Sequence, residues 1–283
     1  MSQTYTLNNG TKIPSIGFGV WKTPPNITDT VVELALGFGY RHIDTAKAYE
    51  NEKEAADAIA KFLKENKDVS REDIFYTTKI FTDDFGHEKT KKAIEKALEA
   101  ASSIGYIDLL LLHAPERPAT ARLGAYKALQ EAVEEGKVKN IGVSNYGVSH
   151  LKELFEWPEF KIKPVVNQIQ INPWLQHNDI VDYCAKNDIL IESYSPLLRG
   201  DGLNKPELVD LAKKYKVDSA QILIRWNLQK GYLPLPKSAT ASRIKSNFTA
   251  YDFELSQEDV DTLGDKNAYE LAEGTAWDPT KWD

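Results

Sequence analysis

One event recurs along this sequence: a short apolar run passes into a polar residue that an ordinary strand end does not need. Residues 40–43 lead into Asp44, 74–78 into Lys79, and 106–112 into His113. Residues 138–143 lead into Ser144 and Asn145, 165–167 into Gln168, 189–193 into Tyr194, and 232–236 into Lys237. With residues 16–18 counted, there are eight strand candidates. Helical patterns fall between most of them, at about 28–38, 52–65, 88–103, 122–135, 149–155, 178–187, 206–215 and 219–229, with another at 242–250. Parallel strands joined by crossover helices give this rhythm, and eight of them suggest a closed barrel rather than an open sheet. Parallel strands put their carboxyl ends on one rim, so residues far apart in sequence converge there as an enzyme site would require.

The remaining organisation is simple. Asn9-Gly10 between residues 5–7 and 12–13 reads as a hairpin ahead of the barrel. No repeat, low-complexity linker or composition shift divides the chain, so residues 1–283 are read as a single (β/α)8 TIM-barrel domain with an N-terminal β-hairpin. The tail after about Glu270 carries Trp277 and Trp282, and the sequence leaves open whether it packs over a rim or the bottom.

Composition excludes several function classes. With 42% hydrophobic and 27% charged residues the chain is an ordinary soluble globular protein. A formal charge of -7 with no basic tract argues against a nucleic-acid or anionic-membrane partner; Lys89, Lys91 and Lys92 sit among acids as a solvated helix face. The single cysteine, Cys184, rules out an intrachain disulfide and a thiolate-rich metal site. Neither a signal peptide nor a membrane span is visible, so a reducing, cytoplasmic home is expected.

Three of the strand-end residues, Asp44, Lys79 and His113, form a coherent proton-delivery set with Tyr49. A phenol has a reference pKa near ~10, and a neighbouring ammonium from Lys79 would lower it. A partly buried Lys79 needs a counter-charge, which Asp44 can supply, and His113 can orient a carbonyl oxygen beside the phenol. Each has a bland reading alone: Asp44 as a helix cap, Tyr49 as packing, Lys79 as a loop residue, His113 as a satisfied interior histidine. Their joint placement at successive strand ends weighs against those readings. His42 and Asp44 lie two apart on one strand face, but five histidines with no complementing cluster give no metal site. Gly17-Phe18-Gly19 fails the Rossmann fingerprint because Lys22 stands where a third glycine or alanine is needed.

These motifs resemble the aldo-keto reductase family. Residues 39–46 with Tyr49, Asn51 and Glu52 look like its first signature. Residues 77–79, 111–113, 141–145, Asn167-Gln168, 194–197, and Pro236-Lys237-Ser238 with Arg243 and Asn247 complete the set, from about residue 5 to 263. Trp157-Pro158 and the short tail look most like the compact yeast members akin to xylose and arabinose reductases. The resemblance implies NADPH held across the strand ends, with Tyr49 as general acid, Lys79 tuning it, Asp44 pairing with Lys79, and His113 orienting a small-molecule carbonyl substrate. It further implies Tyr194 stacked on the nicotinamide, and Ser144, Asn145 and Gln168 on its carboxamide. Ser195 and Leu197 would meet the pyrophosphate, Lys237, Ser238 and Arg243 the 2′-phosphate, and Asn247 the adenine. Gly19, Val20 and Trp21 would border the nicotinamide and substrate. Two cations, a hydroxyl and a helix start near Ser242 suit a phosphate on physical grounds as well.

The pattern departs at Ala114, where many relatives carry tryptophan, at Gln170 in place of a glutamate, and at Ser246 where a glutamate often meets the adenine. Trp21, Phe81, Tyr146 and Trp174 are candidate pocket aromatics, and a monomer or weak dimer is expected. Aldoses, aromatic aldehydes and α-keto esters remain open as substrates. Two other readings stay open: an NADPH-binding sensor or regulatory subunit, and a cofactor-free barrel lyase or isomerase.

Overall fold

The computed structural model describes residues 3–271 and 278–282. An antiparallel hairpin, β1 (Thr4–Thr6) and β2 (Lys12–Pro14), precedes the main sheet. That sheet contains β3 (Phe18–Gly19), β4 (His42–Asp44), β5 (Phe75–Ile80), β6 (Ile107–Leu112), β7 (Val138–Ser144), β8 (Val166–Gln170), β9 (Leu190–Tyr194) and β10 (Leu233–Leu235), paired in parallel in chain order. The helices between strands are α1 (Pro25–Phe38), α2 (Glu52–Glu65), α3 (His87–Ala100), α4 (Ala119–Glu134), α5 (Val148–Glu156), α6 (Asn178–Lys186), α7 (Pro206–Tyr215) and α8 (Ser219–Gln229). Two more, α9 (Ala241–Phe248) and α10 (Gln257–Thr262), follow the last strand. This is the eight-stranded α/β barrel expected from the strand-end rhythm. Regular pairing of the first barrel strand covers only Phe18 and Gly19, so it lies slightly later than the expected residues 16–18.

The ring closes between β10 and β3. The Gly17 N–H donates to the Pro234 carbonyl at 3.0 Å and the Gly19 N–H to the Pro236 carbonyl at 3.1 Å. Prolines have no N–H to return, so these bonds run one way across the seam. The approach is close: a Cβ on Gly17 would lie 2.5 Å from Leu235 Cδ2 and 2.8 Å from His42 Nδ1. A side chain there would push the first and last strands apart.

Period-two alternation divides the core. Leu109 and Leu111 of β6 pack inside the barrel with Phe75, Val166, Leu233 and Leu235, while Leu110 and Leu112 join the larger cluster under the helices. Leu7 and Ile13 of the hairpin belong to the inner cluster, and Tyr5 donates its hydroxyl hydrogen to the Tyr232 carbonyl at 3.2 Å. Asn8 reaches the Pro164 carbonyl at 3.0 Å. Tyr232 and Pro164 lie just before β10 and β8, so the hairpin plugs the amino end. The same alternation continued upward turns polar. His42 and Asp44 on β4, Thr77 and Lys79 on β5, and Glu192 and Tyr194 on β9 hold the inward phase toward the carboxyl rim.

The tail returns to that rim. The Glu270 N–H donates to the Trp174 carbonyl at 2.9 Å, and His150 of α5 bonds the Trp282 carbonyl. Of the two tail tryptophans, Trp277 lies outside the described residues. No helix among the described residues is long and apolar enough to cross a membrane.

Candidate active site

Lys79 and Asp44 are the centre of the rim. They occupy adjacent strands near their carboxyl ends, with side chains 0% and 5% exposed. Lys79 Nζ donates to both Asp44 oxygens at 2.8 Å and to the Thr45 carbonyl at 2.8 Å, with a longer contact of 3.4 Å to the Tyr49 hydroxyl. Burial works against the ammonium, but the Asp44 carboxylate together with Tyr49 and Glu192 outweighs it, so the Lys79 pKa is raised and the group stays charged. The ammonium donates to the phenol oxygen, which leaves the phenol's own hydrogen free to be given away.

The balance at Tyr49 differs from the expectation. Burial raises its pKa, the Lys79 charge pulls it back, and burial wins. The phenol is thus firmly protonated at neutral pH, as a proton donor should be. Lys79 limits the rise rather than producing a net fall.

His113 follows β6 and faces Tyr49, ring centroids 5.7 Å apart at 78°. Burial, then the Lys79 charge, push its pKa down to about 3, so the imidazole is neutral. Its Nδ1 is buried with no partner among the described residues. The proton therefore belongs on Nε2, which can donate it to an oxygen beside the phenol.

These groups open into a cleft of about 1110 Å³. Gly19, Trp21, Ser144, Asn145, Gln168 and Tyr194 line one part, and Ser195, Leu197, Lys237, Ser238, Arg243 and Asn247 line the rest. Every expected nucleotide-binding residue lies on it except Val20. Val20 is fully buried in the core and its N–H donates to the Asp44 carbonyl at 3.0 Å, so it offers the cleft no side chain. Phe81 does reach the site, 5.9 Å from the His113 ring. Tyr146 and Trp174 do not: both are buried in the outer core, Tyr146 against His150 and Trp174 beneath the Lys205 ammonium.

The walls are held by a short chain of bonds. The Tyr194 hydroxyl donates to Asn145 Oδ1 at 2.9 Å, and Asn145 Nδ2 donates to the His113 carbonyl at 2.9 Å. Ser144 Oγ donates to the Gln168 carbonyl at 2.8 Å. Asn145 and Ser195 adopt left-handed backbone, φ 63 and 48, directly after their strands. Such conformations concentrate where surrounding structure fixes a functional geometry.

One end of the cleft is cationic. Burial and the Lys22 charge lower the pKa of Lys237, so two like charges face each other there. Among the described residues Lys22, Lys237 and Arg243 form no ion pair. An anion would relieve that repulsion, and α9 begins beside it after Thr240. The sequence reading missed two neighbours of Trp21: Lys22 and Arg199 lie over its ring at 4.5 Å and 4.4 Å. It also missed Glu192, which the inward alternation of β9 could have revealed. Ser246 lines the cleft, with its hydroxyl on the Arg243 carbonyl at 3.3 Å. Among the described residues no three His, Cys, Asp or Glu side chains converge as a metal-ligand set.

A sequence model described as the aldo/keto reductase family matches residues 15–268. An uncharacterized oxidoreductase of Saccharomyces cerevisiae is 46% identical over 99% of this chain and 96% of its own length. A Bacillus subtilis protein named glyoxal reductase is 39% identical over 93% of this chain and 92% of its own. The crystal structure of an aldo/keto reductase from Brucella melitensis superposes with a TM-score of 0.86 at 38% identity, covering 93% of this chain and 98% of that one.

Proposed function

The chain belongs to the aldo/keto reductase family, and from that premise we propose that it is an NADPH-dependent reductase of aldehydes and ketones. The observation that carries the proposal is the Lys79 ammonium held 3.4 Å from the Tyr49 hydroxyl at the neutral end of a cleft whose other end is cationic.

The residues fit such a nucleotide. Lys237, Ser238 and Arg243 would meet the 2′-phosphate, Asn247 the adenine, and Ser195 and Leu197 the pyrophosphate. Ser144, Asn145 and Gln168 would hold the carboxamide. Tyr194, fixed by its bond to Asn145, would back the ring, and Gly19 and Trp21 would border it. When bound, the reduced nicotinamide supplies the hydride that a carbonyl carbon accepts. Tyr49 gives its proton to the carbonyl oxygen, completing the alcohol, and the Lys79 ammonium favours the phenolate left behind. Neutral His113 donates Nε2–H to the same oxygen, so developing charge is met by two preorganised donors. Asp44 keeps Lys79 charged and in place.

Aldoses such as xylose or arabinose are the substrate class suggested by the resemblance to compact yeast reductases. The name of the Bacillus subtilis relative adds small dicarbonyls. A cytoplasmic setting suits one buried, free cysteine. The test is NADPH oxidation, followed by absorbance, against aldoses, aromatic aldehydes, α-keto esters and glyoxal. Steady turnover with members of that panel is expected. Tight NADPH binding with no turnover on any of them would make the protein a nucleotide sensor instead.

A further inference from the structure

Gln168 has two acids on one nitrogen. Its Nε2 donates to Asp44 Oδ2 at 2.9 Å and to Glu192 Oε2 at 2.8 Å. An amide nitrogen carries two hydrogens, and both are committed here. Its carbonyl oxygen is then the group left to face the cleft that Gln168 lines. Turning the amide over would set that oxygen against two carboxyl groups and turn the N–H groups outward. Asp44 alone would hold one of the two hydrogens; Glu192 holds the second.

Glu192 sits opposite Gln168 in the β8–β9 register, one inward position below Tyr194, and is fully buried. It does not line the cleft, and no step of carbonyl reduction uses it. Its second oxygen, Oε1, has no partner among the described residues. An ionised carboxylate left in that state would be costly, so the acid keeps its proton. Burial, then the Asp44 charge, push its pKa up to about 8, against the opposing pull of Gln168 and Lys79. With the proton on Oε1, Oε2 remains a carbonyl acceptor for the Gln168 amide.

We propose that Glu192 is a positioning residue that pins the Gln168 amide with its carbonyl oxygen toward the cleft, where it accepts the carboxamide N–H of the nicotinamide. The role rests on the nucleotide reading above. It makes the site selective for a ring that carries an amide donor over one that carries a methyl ketone in its place.

Dissociation constants for three probes test it, measured by quenching of tryptophan fluorescence. The probes are NADP+, its 3-acetylpyridine analogue, and adenosine 2′,5′-bisphosphate, which has no nicotinamide half. Glu192→Leu removes the acceptor and should weaken NADP+ about tenfold, the scale of one lost hydrogen bond. It should leave the bisphosphate unchanged and abolish the preference for NADP+ over the acetylpyridine analogue. Glu192→Gln restores an acceptor and should bind like the wild type. Should leucine not be tolerated, Glu192→Met gives the same reading with an unbranched chain. The proposal is overturned if the apolar variant binds NADP+ as tightly as the wild type, or loses NADP+ and the bisphosphate equally. A wild type that binds neither NADP+ nor the bisphosphate would instead sink the nucleotide reading, and this role with it.

Discussion

Removing the Lys79 ammonium strands a buried charge, and the size of the effect can be worked out from the geometry. Lys79→Met keeps most of the side-chain volume but leaves Asp44, 5% exposed, with Gln168 Nε2 at 2.9 Å as its remaining side-chain donor. Breaking a buried ion pair from one side costs about 3–5 kcal/mol. An unfolding entropy of about 2.1 cal/mol/K per residue over 283 residues gives about 0.6 kcal/mol/K, so Tm should fall by roughly 5–8 °C. Lys79→Met with Asp44→Asn removes the charge as well as its partner and should recover most of the loss. Urea unfolding and thermal melts measure this. A single variant within about 1 kcal/mol of wild type, or a double variant no better than the single, refutes the reasoning.

Arg243→Ala should weaken NADPH far more than NADH, because only the former brings a second phosphate to the cationic end; equal losses would remove the phosphate from that corner. His113 has a folded pKa of about 3 against an ordinary value of about 6.5, so the unfolded chain binds the extra proton between them. It therefore contributes stability that is lost as pH falls through that window, by about 1.4 kcal/mol per unit, and His113→Asn should flatten the slope of the urea midpoint there by one proton. An unchanged slope would contradict a neutral, buried imidazole. A Cβ at Gly147 would lie 2.1 Å from the Thr280 carbonyl, so Gly147→Ala should loosen the tail. Thermal melts should register a loss of about 1–3 kcal/mol and limited proteolysis earlier cleavage near the carboxyl terminus; no change in either would mean the tail does not pack there.

Strand ends were legible because parallel strands convert a local pattern into a global position. An apolar run that stops at Asp44, Lys79 or His113 marks both a strand and the rim on which it ends, and the structure brings those residues together. What failed was reading a side chain's direction without its neighbours. Val20 follows Gly19 in the motif but alternates into the core. Tyr146 and Trp174 come after strand ends, as pocket aromatics do, yet an aromatic on a rim loop packs inward as readily as toward a ligand. The helix at Gln257–Thr262 escaped notice because it is short and polar, though Ser256 caps it by accepting the Asp259 N–H at 3.2 Å. Tyr49 shows a different limit. Its residue type and its partner were readable, but the competition between burial and the ammonium is settled only by the depth of the phenol.

The most direct test of the account is the turnover of Tyr49→Phe set beside its affinity for NADPH. Loss of the phenolic hydrogen should lower carbonyl reduction by on the order of 10²–10⁴-fold, the usual contribution of a general acid, while the dissociation constant for NADPH stays near that of the wild type. Near-normal turnover in that variant would mean that the proton comes from somewhere else.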